Sequence, residues 1–342
     1  MVLAGGVGSR FWPVSTPSRP KQLLPLASER PLIVDTVARI LPLVPVPRVR
    51  ILTGAALAEP ILAALPELGR DNLLVEPQAR GTAPVLAWAA LEIARREPGA
   101  VMISLHADHA IAPADVFRAL LGRVGRLAQT HARLFTLGVT PSRPETGYGY
   151  LRVGAPLDDG DAFEVAEFVE KPDADTAREY LRREGYLWNS GIFVWRVGVL
   201  LEELRRHTPE IGERLGLLER GRVADFFEQV PVLSIDEGLL ERSPSVAVAR
   251  ANFSWDDVGA WDAVGRTRVG DAAGNVAVGD AHLVDATGCV AWAEDGAIVV
   301  FGGRDLVVVR AGGLTFVAPR ERSAELKELL KQLPDRLARP EQ

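Results

Sequence analysis

Near its start the chain reads Leu3-Ala4-Gly5-Gly6-Val7-Gly8-Ser9-Arg10, and a little later Arg19-Pro20-Lys21-Gln22. Gly5, Gly6 and Gly8 can turn successive backbone N–H groups toward one anion, because no Cβ blocks its approach. Arg10 and Lys21 supply the positive charge that a polyphosphate requires. These residue types at this spacing point to a phosphate site. A dinucleotide loop is excluded: Gly6-x-Gly8 would need a third glycine where Phe11 stands, and no acidic residue near position 30 clearly closes a second strand. A Walker loop is excluded too, since Lys21 follows Pro20 and Gln22 takes the place of the Ser or Thr. Lysine usage sharpens the choice of cation. Of 39 Lys and Arg residues only Lys21, Lys171, Lys327 and Lys331 are lysine, so arginine serves as the generic surface charge. Lys327 and Lys331 sit in a terminal amphipathic stretch, which leaves Lys21 and Lys171 as the positions where a compact ammonium is favoured over a wide guanidinium.

Such groups need a scaffold, and the apolar pattern describes one. From residue 1 to 265 short apolar runs alternate with amphipathic stretches, the pattern of βαβ units on a mostly parallel, Rossmann-like α/β sheet flanked by helices. Strands are predicted at Val49–Thr53, Val101–Leu105, Leu134–Val139, Tyr148–Val153, Phe163–Val169 and Gly191–Trp195. Helices are predicted at Ala55–Leu68, Thr82–Arg96, Pro113–Gln129, Ala174–Glu184 and Val197–His207. Only Met1 to Ala4 precede the glycines, so the first strand is brief or begins at the very first residue. From 266 to 342 the texture changes to short apolar stretches at roughly nine-residue spacing with no helix between them, which predicts a small β-rich unit. A helix over Ser323–Leu333, with Leu326, Leu329, Leu330 and Leu333 on one face, closes the chain.

Composition excludes other function classes. With 47% hydrophobic residues the chain can bury a real core, and a formal charge of −6 argues against nucleic acid or a membrane surface as partner. No run of about 18 apolar residues is present to cross a bilayer. The single cysteine, Cys289, cannot form a disulfide within the chain, and no leader-like segment opens it, so the expected compartment is the cytoplasm.

Further motifs follow the glycines in order: Glu76-Pro77 with Gly81-Thr82-Ala83-Pro84, Ala107-Asp108-His109, Thr146-Gly147-Tyr148-Gly149-Tyr150, Phe168-Val169-Glu170-Lys171-Pro172, Leu187-Trp188-Asn189-Ser190-Gly191 and Trp255-Asp256-Asp257-Val258-Gly259. Together with the opening segment they resemble the mannose-1-phosphate guanylyltransferase family, also called GDP-mannose pyrophosphorylase, among the sugar nucleotidyltransferases. The resemblance covers most of the first 265 residues and implies a nucleotidyltransferase domain followed by a short left-handed β-helix.

It also implies a reaction in which GMP passes from GTP to mannose 1-phosphate, with magnesium, releasing pyrophosphate. A sugar phosphate is already an anionic nucleophile, so catalysis needs placement and charge neutralisation rather than a general base. By resemblance Arg10 and Lys21 are the catalytic cations, and Leu3, Ala4, Gly5, Gly6, Gly8, Ser9, Glu76, Gly81, Thr82 and Asp108 bind the nucleotide. Gly147, Glu170, Lys171 and Asn189 bind the sugar phosphate, and Asp108 with Asp257 holds the metal. Asp108 follows the run Val101–Leu105, at the carboxyl end of a strand, where ligands bind in open parallel sheets. His106 and His109 flank it, but neither a cysteine nor a third histidine completes a zinc set. Glu76 can accept from both N1–H and N2–H of guanine, a donor pair that adenine lacks. Gly81 stands where the family often has Asn. Asn189 has a second reading as an Asx turn before the strand at Gly191. Two alternatives stay open: the same transfer with glucose 1-phosphate and UTP or dTTP, and a non-catalytic binder of nucleotide sugars. The β-rich end offers a surface for a homodimer.

Overall fold

A computed structural model describes residues 1–6, 8–157 and 160–338. The expected C-terminal unit, 266–342, therefore runs past the last described residue. In chain order the strands are β1 (Val2–Leu3), β2 (Ile51–Gly54), β3 (Leu73–Glu76), β4 (Val101–His106), β5 (Ala110–Ala112), β6 (Leu134–Val139), β7 (Tyr150–Leu157), β8 (Ala162–Val169), β9 (Tyr186–Arg196), β10 (Val246–Arg250) and β11 (Ser254–Asp256). Nine of them form one sheet in the order β3-β2-β1-β4-β9-β6-β10-β8-β7.

Alternation builds the two faces of this sheet. Val2, Ile51 and Val194 pack into one apolar cluster, whereas their neighbours Leu3, Leu52 and Trp195 pack into another. Helices α1 (Leu32–Ile40), α2 (Ala58–Ala64) and α4 (Ala114–Thr130) cover the first face through Val37, Ile61 and Phe117. Helices α3 (Thr82–Arg96) and α5 (Val197–His207) cover the second through Leu86, Trp88, Leu200 and Leu204.

Parallel pairing runs from β3 through β2 and β1 to β4, and again between β10 and β6. The rest of the sheet is antiparallel: β9 lies between β4 and β6, while β7, β8 and β10 join by antiparallel ladders. The mostly parallel order expected from the sequence thus holds where the glycine segment enters and gives way to a mixed sheet beyond β4. For β7 and β8 the reason is local. Strands β7 and β8 follow each other too closely for a crossover helix, and a short connection can only fold back.

Several element bounds differ from expectation. Residues Ala55–Leu57 form a 3₁₀ turn ahead of α2, which ends at Ala64. Strand β7 begins at Tyr150, so Tyr148 and Gly149 belong to the loop before it. Strand β9 begins at Tyr186, which places Asn189 inside a strand rather than in a turn before one.

The C-terminal unit contains β12 (Val276–Val278), β13 (Ala281–Val284), β14 (Val290–Ala293), β15 (Ile298–Phe301), β16 (Leu306–Ala311) and β17 (Leu314–Pro319). Strands β12, β14 and β16 stack in parallel on one side, β13 and β15 on another, and β17 turns back on β16. This stacking in successive rungs is the β-helix arrangement. The predicted terminal helix breaks into a 3₁₀ stretch, Arg320–Glu325, and a helix, Leu326–Leu330. Its leucines face inward, against the cluster of Phe11, Trp12, Trp261, Trp292 and Phe316.

That cluster fastens the β-helix to the glycine-rich segment. Phe11 meets Trp261 edge to face at 5.2 Å, and the Trp261 indole donates to the Trp12 carbonyl at 3.0 Å. Arg268 donates to the carbonyls of Pro25 and Leu26. Each aromatic pair adds about 1 kcal/mol beyond area burial, so the loop entry is held by packing from outside the nucleotidyltransferase sheet.

Candidate active site

The carboxyl ends of β1 and β4 meet at the centre of the site. Ala4 and Gly6 continue from β1, and their carbonyls accept from the buried Gln22 amide at 3.3 and 3.4 Å. Ser15 Oγ donates to the Gly8 carbonyl at 2.8 Å. Gln22 and Ser15 therefore tie down a loop whose glycines carry no side chains to anchor it. Gly8 lies at φ 69°, and a Cβ there would overlap the Lys21 Cβ. Any other residue would both strain the backbone and displace the lysine. Gly5 and Gly6 are exposed, Leu3 and Ala4 are buried at the strand end, and Ser9 opens a 3₁₀ turn. Arg10 is exposed and pairs with no acidic group among the described residues.

Lys21 is only 8% exposed. Its Nζ reaches Asp108 Oδ2 at 2.8 Å and donates to the Asp257 carbonyl at 2.6 Å. Burial pushes the Asp108 carboxyl up, but Lys21, His109 and His106 together pull it further down, to about 2. It is a carboxylate at any physiological pH. Asp257 behaves differently. Burial raises it, Asp256 and Asp108 raise it further, and Lys21 and the Tyr148 hydroxyl, donating to Oδ1 at 2.5 Å, only partly offset this. Lys21 thus pairs directly with the Asp108 carboxylate alone and reaches Asp257 through its backbone carbonyl, while the Asp257 carboxylate is held by Tyr148.

His106 and His109 stack at 4.7 Å, and burial, reinforced by Lys21, holds both below the usual imidazole range. The Trp255 indole N–H reaches His109 Nδ1 at 3.1 Å. An indole can only donate, so the His109 proton sits on Nε2. With Asp108 these histidines form a three-residue group whose ligand atoms lie within 4.8 Å of one another. The hydrogen bond to Trp255 uses His109 Nδ1, and the oxygen donors of Asp108 and Asp257 suit a hard cation better than zinc.

The residues expected beside the base lie at the carboxyl end of β3 and the start of α3. Glu76 ends the strand half-buried, and burial raises its carboxyl. Gly81 precedes α3 at φ 83° and ψ −179°, a region open to glycine alone, with the Leu233 carbonyl where a Cβ would stand. The asparagine common in the family has no room here. Thr82 Oγ1 accepts from the Ile235 N–H at 2.8 Å, so its hydroxyl holds the segment after Leu233. Gly81→Asn is expected to destabilise the fold by about 1–3 kcal/mol, read as a lowered thermal midpoint. An unchanged midpoint would mean that the loop adopts another backbone conformation.

Among the residues expected to bind the sugar phosphate, Asn189 is buried. Its Oδ1 accepts from Thr136 Oγ1 at 2.8 Å, and its Nδ2 donates to Asp236 Oδ1 at 2.7 Å. Glu170 accepts from Lys171 Nζ at 2.6 Å. Burial alone would lower the Lys171 ammonium, but Glu170, Asp236 and Glu237 hold it raised. Lys171 is exposed and sits at φ 48°; Val258, directly after Asp257, sits at φ 49°. Both are non-glycine residues in the left-handed region, and that strain marks the two turns that present Lys171 and Asp257. The Gly147 N–H donates to Glu145 Oε1 at 3.1 Å.

These parts form one continuous surface. Tyr148 touches Asp257 and packs on Trp188 and Trp255, Trp255 reaches His109, and a Cβ on Gly191 would stand 2.8 Å from His106 Nε2. Leu3, Glu76 and Asp108 thus lie at the carboxyl ends of β1, β3 and β4, Asn189 lies inside β9, Thr82 opens α3, Glu170 and Lys171 follow β8, and Asp257 follows β11. Gln22, Tyr148, Arg143 and Asp236 were not anticipated as site residues. Gln22 and Tyr148 stand inside the quoted motifs, but their partners are distant in sequence. Arg143, whose guanidinium lies 5.1 Å over the Trp188 ring and donates to Tyr148 Oη, belongs to no motif. A separate cavity of about 650 Å³ opens at the amino ends of β2 and β4, lined by Met1, Arg50 and Val101, and contains none of these residues.

A nucleotidyl transferase family profile matches residues 1–271, and a MannoseP isomerase/GMP-like beta-helix domain profile matches residues 279–333. The chain is 35% identical to a mannose-1-phosphate guanylyltransferase of Escherichia coli K12, over 97% of this chain and 73% of that one. It is likewise 35% identical to the xanthan biosynthesis protein XanB of Xanthomonas campestris, over 97% and 72%. A crystal structure from Thermus thermophilus, described as a mannose-1-phosphate geranyltransferase, superposes with a TM-score of 0.88 at 34% identity and covers 97% of both chains. A glucose-1-phosphate thymidylyltransferase structure from Bacillus anthracis, at 19% identity and a TM-score of 0.51, shares the fold alone. Glycine loop, buried lysine and paired aspartates stand here on a nucleotidyltransferase sheet with a β-helix behind it, and the chain belongs to the mannose-1-phosphate guanylyltransferase family of nucleotidyltransferases.

Proposed function

We propose that this chain transfers GMP from GTP to mannose 1-phosphate, forming GDP-mannose and pyrophosphate. The observation that carries the reading is Lys21, buried between Asp108 and the Asp257 turn directly behind the glycine loop. A phosphate oxygen of the sugar phosphate attacks the α-phosphorus of GTP. A new P–O bond forms, the α–β bridge breaks, and pyrophosphate leaves with the electron pair. No proton has to move, in keeping with the low basicity of His106 and His109. The protein's contribution is to hold two anions in line and to neutralise the charge spreading over the phosphoryl oxygens.

In this reading Leu3 to Ser9 offer backbone N–H groups to the triphosphate, with Arg10 and Lys21 as its cations. Glu76 selects guanine, with Gly81 and Thr82 shaping the wall beside it. Gly147, Glu170, Lys171 and Asn189 take the sugar phosphate. Magnesium fits the donor set, because Asp108 and Asp257 both offer carboxylate oxygens, with Asp257 within electrostatic reach of Lys21 and Asp108. When bound, the ion draws charge from the phosphoryl oxygens. The nucleotidyltransferase domain spans residues 1–265 and the β-helix unit 266–342 in this reading. No helix among the described residues is long and apolar enough to cross a membrane. We place the enzyme in the cytoplasm, with the β-rich end as the surface that a homodimer would use.

The test is pyrophosphate release with GTP, UTP, dTTP and ATP against mannose 1-phosphate and glucose 1-phosphate, with and without magnesium. Release is expected with GTP and mannose 1-phosphate and to depend on magnesium. Preference for UTP or dTTP with glucose 1-phosphate would replace the substrate pair, and no release from any pair would end the enzyme reading. Glu76→Gln is expected to raise the KM for GTP about 10- to 100-fold, since a hydrogen bond to a charged group contributes about 1.5–3 kcal/mol. An unchanged ratio of GTP to ATP turnover would remove Glu76 from base recognition.

A further inference from the structure

Asp236 lies outside every motif that the sequence singles out, on the turn Asp236–Leu240, yet the tertiary structure carries it to the sugar side of the site. Its Oδ1 accepts from Asn189 Nδ2 at 2.7 Å. The orientation of that amide is settled by its other end, where Oδ1 accepts from Thr136 Oγ1 at 2.8 Å and from the Gly191 N–H at 3.3 Å. The amide nitrogen therefore faces Asp236 and keeps a second hydrogen to donate. Glu170 shares this wall: a Cβ on Gly149 would stand 2.6 Å from Glu170 Oε2 and 3.4 Å from Asn189 Cβ. Glu241, from the end of the same turn, accepts from the Glu170 N–H at 2.9 Å. The segment before Asp236 is fixed in turn by the Ile235 N–H on Thr82 and the Leu233 N–H on the Arg80 carbonyl.

Burial pushes the Asp236 carboxyl up, and Glu170 pushes it further, to about 7, with Asn189 and Lys171 opposing. A buried carboxylate set beside another carboxylate costs stability unless a ligand uses it. Its second oxygen, Oδ2, accepts from no described side chain. A carboxylate repels phosphate, so this wall suits the ring of a sugar phosphate while the neighbouring Lys171 suits its phosphate. When ionised, Oδ2 only accepts, and beside an N–H that only donates it matches neighbouring hydroxyls, since each hydroxyl can do both.

We propose that Asp236 is a specificity-determining residue for the hexose: its Oδ2 accepts from one ring hydroxyl while the free Asn189 N–H donates to the next. The proposal rests on the sugar 1-phosphate transfer described above. The experiment measures kcat and KM for mannose 1-phosphate and for GTP in the wild type, Asp236→Ala and Asp236→Asn, and repeats the sugar series with monodeoxy mannose 1-phosphates. Asp236→Asn keeps the shape of the turn and its contact to Asn189, and thermal unfolding confirms that each variant is folded. Asp236→Ala is expected to raise the sugar-phosphate KM about tenfold or more, the loss of a charge-assisted hydrogen bond, with the GTP KM within about twofold. With the one deoxy sugar that lacks the hydroxyl in question, wild type and variant are expected to converge. An equal rise in both KM values, or a difference that persists with every deoxy sugar, overturns the proposal. If the wild type turns over another hexose 1-phosphate instead, the deoxy series on that sugar reads Asp236 in the same way and only the mannose assignment falls. No turnover of any hexose 1-phosphate overturns both.

Discussion

Lys21→Ala is expected to lower kcat by roughly 10³-fold, the scale reached when one preorganised charge-stabilising group is removed. The loss follows from geometry. Lys21 is buried, its ammonium is held by Asp108 and the Asp257 carbonyl, and its Cβ fills the space that Gly8 leaves open. It cannot swing away, so its charge stands ready where the phosphoryl oxygens would gather charge. Lys21→Arg is expected to lose at least about 10²-fold despite keeping the charge, because a planar guanidinium cannot occupy a pocket shaped to a point ammonium. Steady-state kinetics with a thermal unfolding control decide the matter. A folded Lys21→Ala variant with the wild-type rate would place the triphosphate elsewhere.

Asp108→Asn is expected to cost turnover on a similar scale, roughly 10²- to 10³-fold, together with a rise in the magnesium concentration that supports half-maximal rate. The substitution keeps the shape and removes the charge on which both Lys21 and the cation depend. It also leaves a signature in stability that needs no activity assay. The folded-state value of Asp108, about 2, lies below its unfolded value. Its contribution is therefore complete above about pH 4, the unfolded value, and is lost as pH falls toward 2. The part of the gap between wild type and Asp108→Asn that depends on pH, on the order of 2 kcal/mol, is expected to close over that window in denaturant titrations. A gap that stays constant from pH 6 to 2 would show that Lys21 does not hold Asp108 ionised.

The two variants also differ in what they leave behind. Removing Lys21 leaves the Asp108 carboxylate without its cation and takes a positive charge from beside Asp257, so Lys21→Ala is expected to gain more stability from added magnesium than the wild type does. Asp108→Asn leaves an ammonium that still has the Asp257 carbonyl.

How far the site was legible depended on how each residue reports itself. The expectation of an anion loop rested on residue type, because backbone freedom belongs to glycine itself: Gly5, Gly6 and Gly8 carry no Cβ to block an anion, and Arg10 and Lys21 add the charge. Asp108 was legible because a strand pattern ends just before it, and the carboxyl end of a parallel strand is where ligands bind. Lys21 and Lys171 stood out against an arginine background. Gln22 was visible as part of a motif, but its work, anchoring the Ala4 and Gly6 carbonyls, is not a property of glutamine in general.

Other features carried no such signal. Strand β9 is longer than its apolar core because Trp188, Asn189 and Ser190 are polar or mixed residues buried by partners on β6 and by Asp236. The hairpin of β7 and β8 read as two ordinary strands, and nothing in their alternation said that they would return antiparallel. Gly81 looked like a missing asparagine contact, whereas its φ of 83° and the Leu233 carbonyl beside it show that the backbone itself requires glycine.

What the sequence determined by itself was the kind of chemistry: an anion loop, scarce lysines and carboxylates at strand ends, on an α/β frame with a β-rich end. These are matters of residue type and short-range spacing, set by conformational freedom, charge and periodicity. What only the tertiary structure decided was the pairing: Lys21 with Asp108 and the Asp257 turn, Tyr148 with Asp257, and Asn189 with Asp236. Each of these contacts joins residues dozens to hundreds of positions apart, and the sheet order that brings them together is chosen by packing of the whole core rather than by any local run of residues.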